Sequence, residues 1–147
     1  MLSTRNPDNA CIKIKRLSES IDRTLNSRLS DDDLTLTQCR ILYTLAHCTD
    51  DGSATQKEIE DYLSISHPTA IGLFRRMESK DLIENLGRTG KSSKTIRITP
   101  HGNRMINRNE IHIHEMEKLI ESVLGEIGYH SLKSHLDLVY DELSKKE

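Results

Sequence analysis

The sequence predicts a mostly α-helical fold that carries a small β-wing. Apolar residues recur every three or four positions along most of the 147 residues, which is the spacing of amphipathic helices. Two short strand-like runs, LIENL and TIRIT, are separated by the basic loop GRTGKSSK, and such a pair predicts a hairpin. Aromatic residues make up only 3% of the chain, which favours helices over an aromatic-rich sheet.

The first two predicted helices cover residues 10–29 and 35–47. The apolar stripe of the first helix recurs at Ile14, Leu17, Ile21, Leu25 and Leu29. The acidic run SDDD at residues 30–33 breaks this pattern and is expected to be a solvated turn. Thr35 and Gln38 have the spacing of a capping box at the start of the second helix. Its apolar stripe consists of Ile41, Leu42 and Leu45.

The third and fourth helices are predicted to be joined by the tight turn LSIS. TDDGSA forms a loop before the third helix, which begins with a second capping box, Thr55 and Glu58. We expect the third helix to turn its apolar residues inward: Ile59, Tyr62 and Leu63. Ser66 is placed to cap the fourth helix, whose first turn tolerates Pro68. The inward face of the fourth helix is expected to hold Ala70, Leu73, Phe74 and Met77.

The wing and two further helices complete the predicted fold. Ile96 and Ile98 alternate with Arg97, as in a half-buried strand, and glycines in the loop permit the hairpin turn. Thr99 is placed to cap a long fifth helix that begins with Pro100. A break at residues 125–128, where glycines occur at both ends, is expected to separate it from a sixth helix.

The charge of the chain is unevenly distributed. The net charge is −2, but residues 66–104 hold eight basic and three acidic residues, a net charge of +5 that leaves −7 for the remainder. This basic segment contains the fourth helix and the wing. Such clustering on one module is typical of nucleic-acid binding.

The outer face of the fourth helix and the wing supply the candidate contacts with DNA. We expect basic side chains of the wing to bind phosphates, and His67, Thr69 and Ile71 to meet base edges. Gly72 inside the helix indicates close approach, either to DNA or to another part of the protein. The full candidate set is Ser66, His67, Pro68, Thr69, Ile71, Gly72, Arg75, Arg76, Arg88, Lys91, Lys94 and Arg97.

The chain resembles the MarR family of transcription regulators over nearly its whole length. The matching segments are LTLTQCRILYTLA, TQKEIEDYLSISHPTAIGLFRRMESKDLIE and IRITPHG. The resemblance implies a winged helix-turn-helix lobe at residues 35–102, flanked by dimerisation helices at residues 10–30 and 103–146. It also implies a homodimer on a pseudo-palindromic operator, with half-sites about one helical turn (~34 Å) apart. The Asp-x-Arg pair typical of the family's wing is replaced here by Gly90 and Ser92.

The resemblance further implies a repressor that a small aromatic or amphipathic effector releases from DNA. The candidate pocket walls are Ile14, Leu17, Ile21, Tyr43, His47 and Ile113. One branch of the family senses oxidants through a cysteine near the start of the first helix, where Cys11 lies. A Cys11-based oxidant sensor is therefore one alternative, and a winged-helix protein-interaction module without DNA binding is another. Cys39 and Cys48 are expected to be small packing residues.

Other classes of protein are disfavoured. The chain has no HExxH, no GxSxG and no glycine-rich phosphate loop after a strand, so an enzyme is not expected. Three cysteines without CxxC spacing predict neither a disulfide framework nor a zinc site, and no cofactor is expected. Since no apolar run approaches ~20 residues and the first residues lack a secretory signal, we expect a cytoplasmic protein.

Overall fold

A computed structural model describes residues 9–88, 90 and 93–146 as five helices and three short strands. The helices are α1 (Ala10–Leu29), α2 (Leu36–His47), α3 (Gln56–Leu63), α4 (His67–Ser79) and α5 (Pro100–Ser144), and a 3-10 turn, Ser30–Asp32, follows α1. The strands are β1 (Ser53–Thr55), β2 (Ile83–Gly87) and β3 (Thr95–Ile98). The mostly α fold with a small wing is thus confirmed. The chain forms two compact units, Met1–Ile111 and His112–Glu147.

The three strands form one antiparallel sheet in the order β1-β3-β2. Strand β1 was not predicted, because its three residues are too few to show an alternating pattern, and Ser53 and Ala54 lie in the expected TDDGSA loop. Gly52 leads into it with a φ of 77°, and its carbonyl oxygen accepts a hydrogen bond from the Ile98 amide at 2.9 Å. This strand therefore depends on its pairing with β3 and not on a pattern in its own sequence.

The helix caps formed as the sequence indicated. Both capping boxes are complete, with Thr35 and Gln38 on α2 and Thr55 and Glu58 on α3. The Thr99 hydroxyl oxygen accepts a hydrogen bond from the Gly102 amide at 2.9 Å at the start of α5. These caps satisfy amides that the first turn of a helix leaves without partners.

The core of the first unit draws apolar side chains from all of its helices and from the sheet. The prediction that Tyr62 faces inward is wrong: its side chain is 65% exposed, whereas Ile59 is 1% exposed. Ile59 marks the side of α3 that faces the core. Tyr62 and Leu63 lie on either side of that direction, and Leu63 is the more buried of the two. The most deeply buried residues are Leu29, Cys39, Ile41, Leu42, Leu45, Ile59, Met77, Leu82, Ile96 and Ile106.

The acidic run after α1 is the turn that the sequence predicted, with Ser30, Asp31 and Asp33 exposed, but Asp32 is half-buried and the run makes contacts distant in sequence. The Asn109 amide nitrogen donates to Asp32 Oδ2 at 2.7 Å, and Arg108 lies 3.1 Å from Asp32 Oδ1. Lys80 Nζ donates to the Asp33 backbone oxygen at 2.6 Å. The run therefore connects the end of α1 with the C-cap of α4 and with α5, since its carboxylates and carbonyls meet donors from both.

Helix α5 is interrupted at Gly125, where φ is 74° and ψ is 166°. The predicted break between a fifth and a sixth helix is confirmed there. Within the second unit, the Tyr129 hydroxyl donates to the Glu117 carboxylate across the break. This unit carries a series of large apolar side chains that are exposed: Leu119, Val123, Leu124, Ile127, Leu136, Leu138, Val139, Tyr140 and Leu143.

Candidate nucleic-acid interface

Helix α4 begins after a left-handed turn at the end of α3, and a serine caps its first turn. Ser64 ends α3 with a φ of 53°, and the Ser66 hydroxyl accepts from the Thr69 amide, with Pro68 in the first turn. The predicted inner face is confirmed, since Ala70, Leu73, Phe74 and Met77 are buried. The opposite face is accessible: His67, Thr69, Arg75, Arg76 and Ser79 are exposed, and Ile71 and Gly72 are half-buried.

Gly72 is not required by packing inside the described protein. A β-carbon at this position would meet only Arg76 Nη1, at an ordinary contact distance of 3.6 Å. Of the two explanations for a glycine inside this helix, tight packing against another part of the protein is therefore contradicted. Close approach of an external partner to the outer face of α4 stays a prediction.

The wing is fastened to the start of α3. The Gln56 amide donates to the Lys94 backbone oxygen at 2.7 Å, and the Lys57 amide donates to the Ser93 hydroxyl at 3.2 Å. Gly87 ends β2 with a φ of 81°. These bonds hold the arm that returns from the wing beside α3 and α4. Of the predicted phosphate contacts, Arg88 and Lys94 are exposed, and Lys91 lies outside the described residues.

A cavity of about 350 Å³ lies between α4 and the wing. It brings together five of the candidate contacts, and it adds four polar residues that sequence reasoning missed: Gln56, Glu78, Asn85 and Ser93. The sequence did contain a signal for Gln56. Thr55 was predicted as the cap of the third helix, so Gln56 could have been placed at the first position of α3. The full lining is Gln56, His67, Ile71, Phe74, Arg75, Glu78, Asn85, Arg88, Ser93 and Lys94.

A carboxylate from α3 contacts the first residue of α4. Glu60 Oε1 lies 2.7 Å from His67 Nδ1 and 3.0 Å from Gln56 Nε2, and the Glu60 side chain is only 12% exposed. Burial alone would raise the pKa of Glu60, but the hydrogen bonds from Gln56 and His67 hold it below its ordinary value. The residue at the start of α4 is therefore paired with a negative charge beneath it.

Arg97 differs from the other basic candidates. It lies on β3, opposite Ser53 on β1 and Glu84 on β2, and it is half-buried. Its Nε is buried and has no hydrogen-bond partner among the described residues. Hydrogen bonds from Ser53 lower the pKa of Asp51, and the charge of Arg97 contributes to this shift. A phosphate contact by Arg97 stays a prediction.

The candidate effector residues divide between the two units. Ile14, Leu17, Tyr43 and His47 are exposed and Ile21 is half-buried, all in the first unit, whereas Ile113 belongs to the second. His47 Nε2 lies 3.0 Å from Glu110 Oε2, and the ring centroids of His47 and Tyr43 are 4.7 Å apart. Tyr43, His47 and Glu110 therefore form one cluster of aromatic and ionisable groups in the first unit.

The three cysteines have different surroundings. Cys11 is exposed on the first turns of α1, and Cys39 is buried as expected. Burial raises the pKa of the Cys39 thiol to about 11. The expectation that Cys48 packs inside is wrong: it follows the last turn of α2 as its C-cap and is exposed. In the described part of the chain, no group of three His, Cys, Asp or Glu residues could hold a metal ion.

No helix among residues 9–88 and 93–146 is long and apolar enough to cross a membrane. The longest, α5, is interrupted at Gly125 and carries charged residues along its length.

Comparison with known proteins agrees with this architecture. A family model described as MarR family matches residues 32–90, and no protein in the curated set matches the sequence. MepR from S. aureus, in a complex with DNA, is 26% identical, with a TM-score of 0.82 over 95% of this chain and 99% of its own. A mutant MarR from E. coli complexed with operator DNA is 21% identical, with a TM-score of 0.75 over 92% and 99%.

A third solved structure, NadR in complex with 4-hydroxyphenylacetate, is 21% identical, with a TM-score of 0.77 over 95% of this chain and 100% of its own. The last two likenesses, at this level of identity, concern the fold. The family model covers the segment from the end of α1 into the wing, and the MepR likeness extends over both units. Residues 32–90 therefore match the MarR family, and the chain as a whole has the fold of MepR and MarR.

Proposed function

We propose that this protein is a homodimeric transcription regulator that binds double-stranded DNA in a sequence-specific manner. The observation that carries the proposal is the accessible polar and basic face of α4, joined to the wing by a shared cavity. An α-helix fits the major groove, where the base edges of each pair are distinguishable. The wing then lies along the adjacent backbone.

The basic side chains of this surface are available to phosphates. Among the described residues, Arg75, Arg76, Arg88 and Lys94 form no ion pair. Two lysines outside this surface are paired: Lys80 with Asp33 and Lys15 with Glu19. Unpaired cations on one face supply the sequence-independent part of DNA affinity. The DNA complex of MepR, which has the same fold, supports this reading.

A second copy of the chain is the proposed cover for the exposed apolar side chains. Ile14 and Leu17 are 50% and 54% exposed on α1, and Val123 and Ile127 are 74% and 88% exposed in the second unit. Contiguous exposed apolar surface marks interaction sites. A two-fold dimer presents two α4 helices, which match a pseudo-palindromic operator.

We further propose that a small aromatic or amphipathic effector releases the dimer from DNA. The candidate walls in the first unit, Ile14, Leu17, Tyr43 and His47, present apolar and aromatic groups beside Glu110. NadR, which shares the fold, was solved with 4-hydroxyphenylacetate. An effector that prefers a conformation mismatched to the operator weakens DNA binding by its differential affinity. In this proposal the protein acts in the cytoplasm by binding alone, without catalysis or cofactor.

The proposal is tested by titrating the purified protein against genomic fragments at several salt concentrations. Operator fragments should be retained at low protein concentration, and affinity should fall steeply as salt rises because counterions are released from phosphates. Adding 4-hydroxyphenylacetate as a probe tests the release step. A protein that binds no fragment even in dilute salt would be a protein-interaction module instead.

A further inference from the structure

The half-buried carboxylate of Glu60, beneath the first turn of α4, has a defined set of partners. Gln56 and Glu60 are four residues apart on α3, so they lie on one face of that helix. Glu60 Oε1 accepts from Gln56 Nε2 at 3.0 Å and lies 2.7 Å from His67 Nδ1. A carboxylate this poorly exposed requires hydrogen-bond donors, and these two side chains provide them.

This arrangement determines where the proton of the His67 ring lies. An ionised carboxylate only accepts hydrogen bonds, so the 2.7 Å contact with Glu60 requires the hydrogen on Nδ1, and Gln56 Nε2, which lies 3.3 Å from the same nitrogen, donates to Glu60 instead. In a neutral imidazole with a hydrogen on Nδ1, the other nitrogen, Nε2, holds a lone pair and accepts. The His67 side chain is 64% exposed and lines the cavity between α4 and the wing.

We propose that Glu60 and Gln56 are positioning residues that hold His67 so that its Nε2 accepts a hydrogen bond from a base amine in the major groove. This inference rests on the proposed DNA-binding function and deepens it. In the major groove, only adenine N6 and cytosine N4 present amine donors. His67 therefore accepts from the amine of one base pair in each half-site, either adenine N6 or cytosine N4, and the two α3 residues position it for that contact without touching DNA.

The test begins with an operator selected by the parent protein from a random DNA pool. The set of variants His67→Ala, Glu60→Ala, Glu60→Gln and the double variant Glu60→Ala/His67→Ala is then titrated against that operator and its single-base-pair changes. His67→Ala should lose about fivefold to tenfold discrimination at one base pair of each half-site, the size of one base-edge contact. Glu60→Ala should lose discrimination at the same base pair.

The coupling between Glu60 and His67 shows whether Glu60 acts by positioning His67 or by a general effect on the structure. The double variant should lose no more discrimination than His67→Ala alone, because both changes remove one contact. Glu60→Gln should retain the preference, since its amide oxygen still accepts from Nδ1. Asp61→Ala is the matched control: it removes an exposed carboxylate from the same helix, one that pairs with Lys57, and it should change nothing at that base pair.

A direct measurement on the parent protein covers the case in which Glu60→Ala fails to fold. Nitrogen NMR of the His67 ring at pH 8 should show the hydrogen on Nδ1. A hydrogen on Nε2, or additive losses in the double variant, would overturn the proposal. If the parent selects no DNA from the pool, the proposed function itself fails, and the ring tautomer still reports on the Glu60 contact.

Discussion

Gly102 on α5 lies directly against the backbone carbonyl of Leu82. A β-carbon on Gly102 would be 2.2 Å from the Leu82 oxygen and 2.8 Å from Ile98 Cγ1. The same carbonyl accepts a hydrogen bond from the Thr99 amide at 3.1 Å, so it is not free to move away. The start of α5 is therefore packed onto the sheet through a residue that has no side chain.

We predict that Gly102→Ala destabilises the first unit by about 3 kcal/mol, the range expected for forcing a methyl group into a filled space. Urea unfolding, followed by circular dichroism, measures the change. Parent-like stability of this variant would show that the Leu82 carbonyl can give way.

Gly72→Ala should have the opposite effect on stability. Because only Arg76 Nη1 lies near the added carbon and alanine favours helix, the variant should be more stable by up to about 1 kcal/mol. DNA affinity should nevertheless fall, since the methyl group is added to the face of α4 that approaches the duplex. Paired unfolding and anisotropy titrations test this. A gain in both properties would place Gly72 away from the DNA.

Arg88→Ala and Lys94→Ala should each weaken binding by a similar factor on every DNA sequence. A dimer loses two phosphate contacts with each change, so the slope of log affinity against log salt should become shallower by about 2. Lys15→Ala removes the same charge from a residue paired with Glu19 and serves as the control. An altered preference among operators, with an unchanged salt slope, would assign these side chains to base edges instead.

Thr69→Ala should relax the preference at one operator position while leaving the salt slope unchanged. The Thr69 hydroxyl accepts a hydrogen bond from the Ser66 hydroxyl at 2.8 Å, which leaves its own hydrogen for a base acceptor. Titration against single-base-pair operator variants measures the effect. Equal losses on every variant would indicate that Thr69 contributes only to the helix cap.

Thiol labelling should distinguish the three cysteines. At pH 8, iodoacetamide should modify the exposed Cys11 and Cys48 in the folded protein, whereas Cys39 should react only after unfolding, because burial raises the pKa of its thiol to about 11. A pKa higher in the folded than in the unfolded state also means that stability falls as pH rises above about 8.5, the ordinary thiol value. Mass spectrometry of labelled peptides measures the order, and rapid native labelling of Cys39 would contradict it.

Local signals in the sequence predicted most of the fold. The caps at Thr35, Thr55 and Ser66 and the inner face of α4 depend on residues within one or two turns, so a single segment reveals them. Strand β1 was not predicted because its pairing with β3 joins residues that are 40 to 44 positions apart. The partners of the acidic run could not be predicted for the same reason, because its donors come from the C-cap of α4 and from α5.

The candidate interface could be predicted only as a set of exposed residues. Periodicity located the outer face of α4, but it gave no sign that Glu60 would lie beneath His67, since that contact crosses the turn between two helices. Tyr62 and Cys48 were misplaced for a related reason. An apolar residue at the edge of a stripe, or at a helix end, is buried only if a neighbour covers it.

The central claim is that two copies of the chain bind one duplex through α4 and the wing. Sedimentation equilibrium of the purified protein with its selected operator tests this most directly, because it counts chains per duplex while salt is varied. We predict a dimer in the absence of DNA and two chains per operator, with binding that weakens as salt rises. A stable monomer, or a protein that leaves the duplex unbound in dilute salt, would contradict the account.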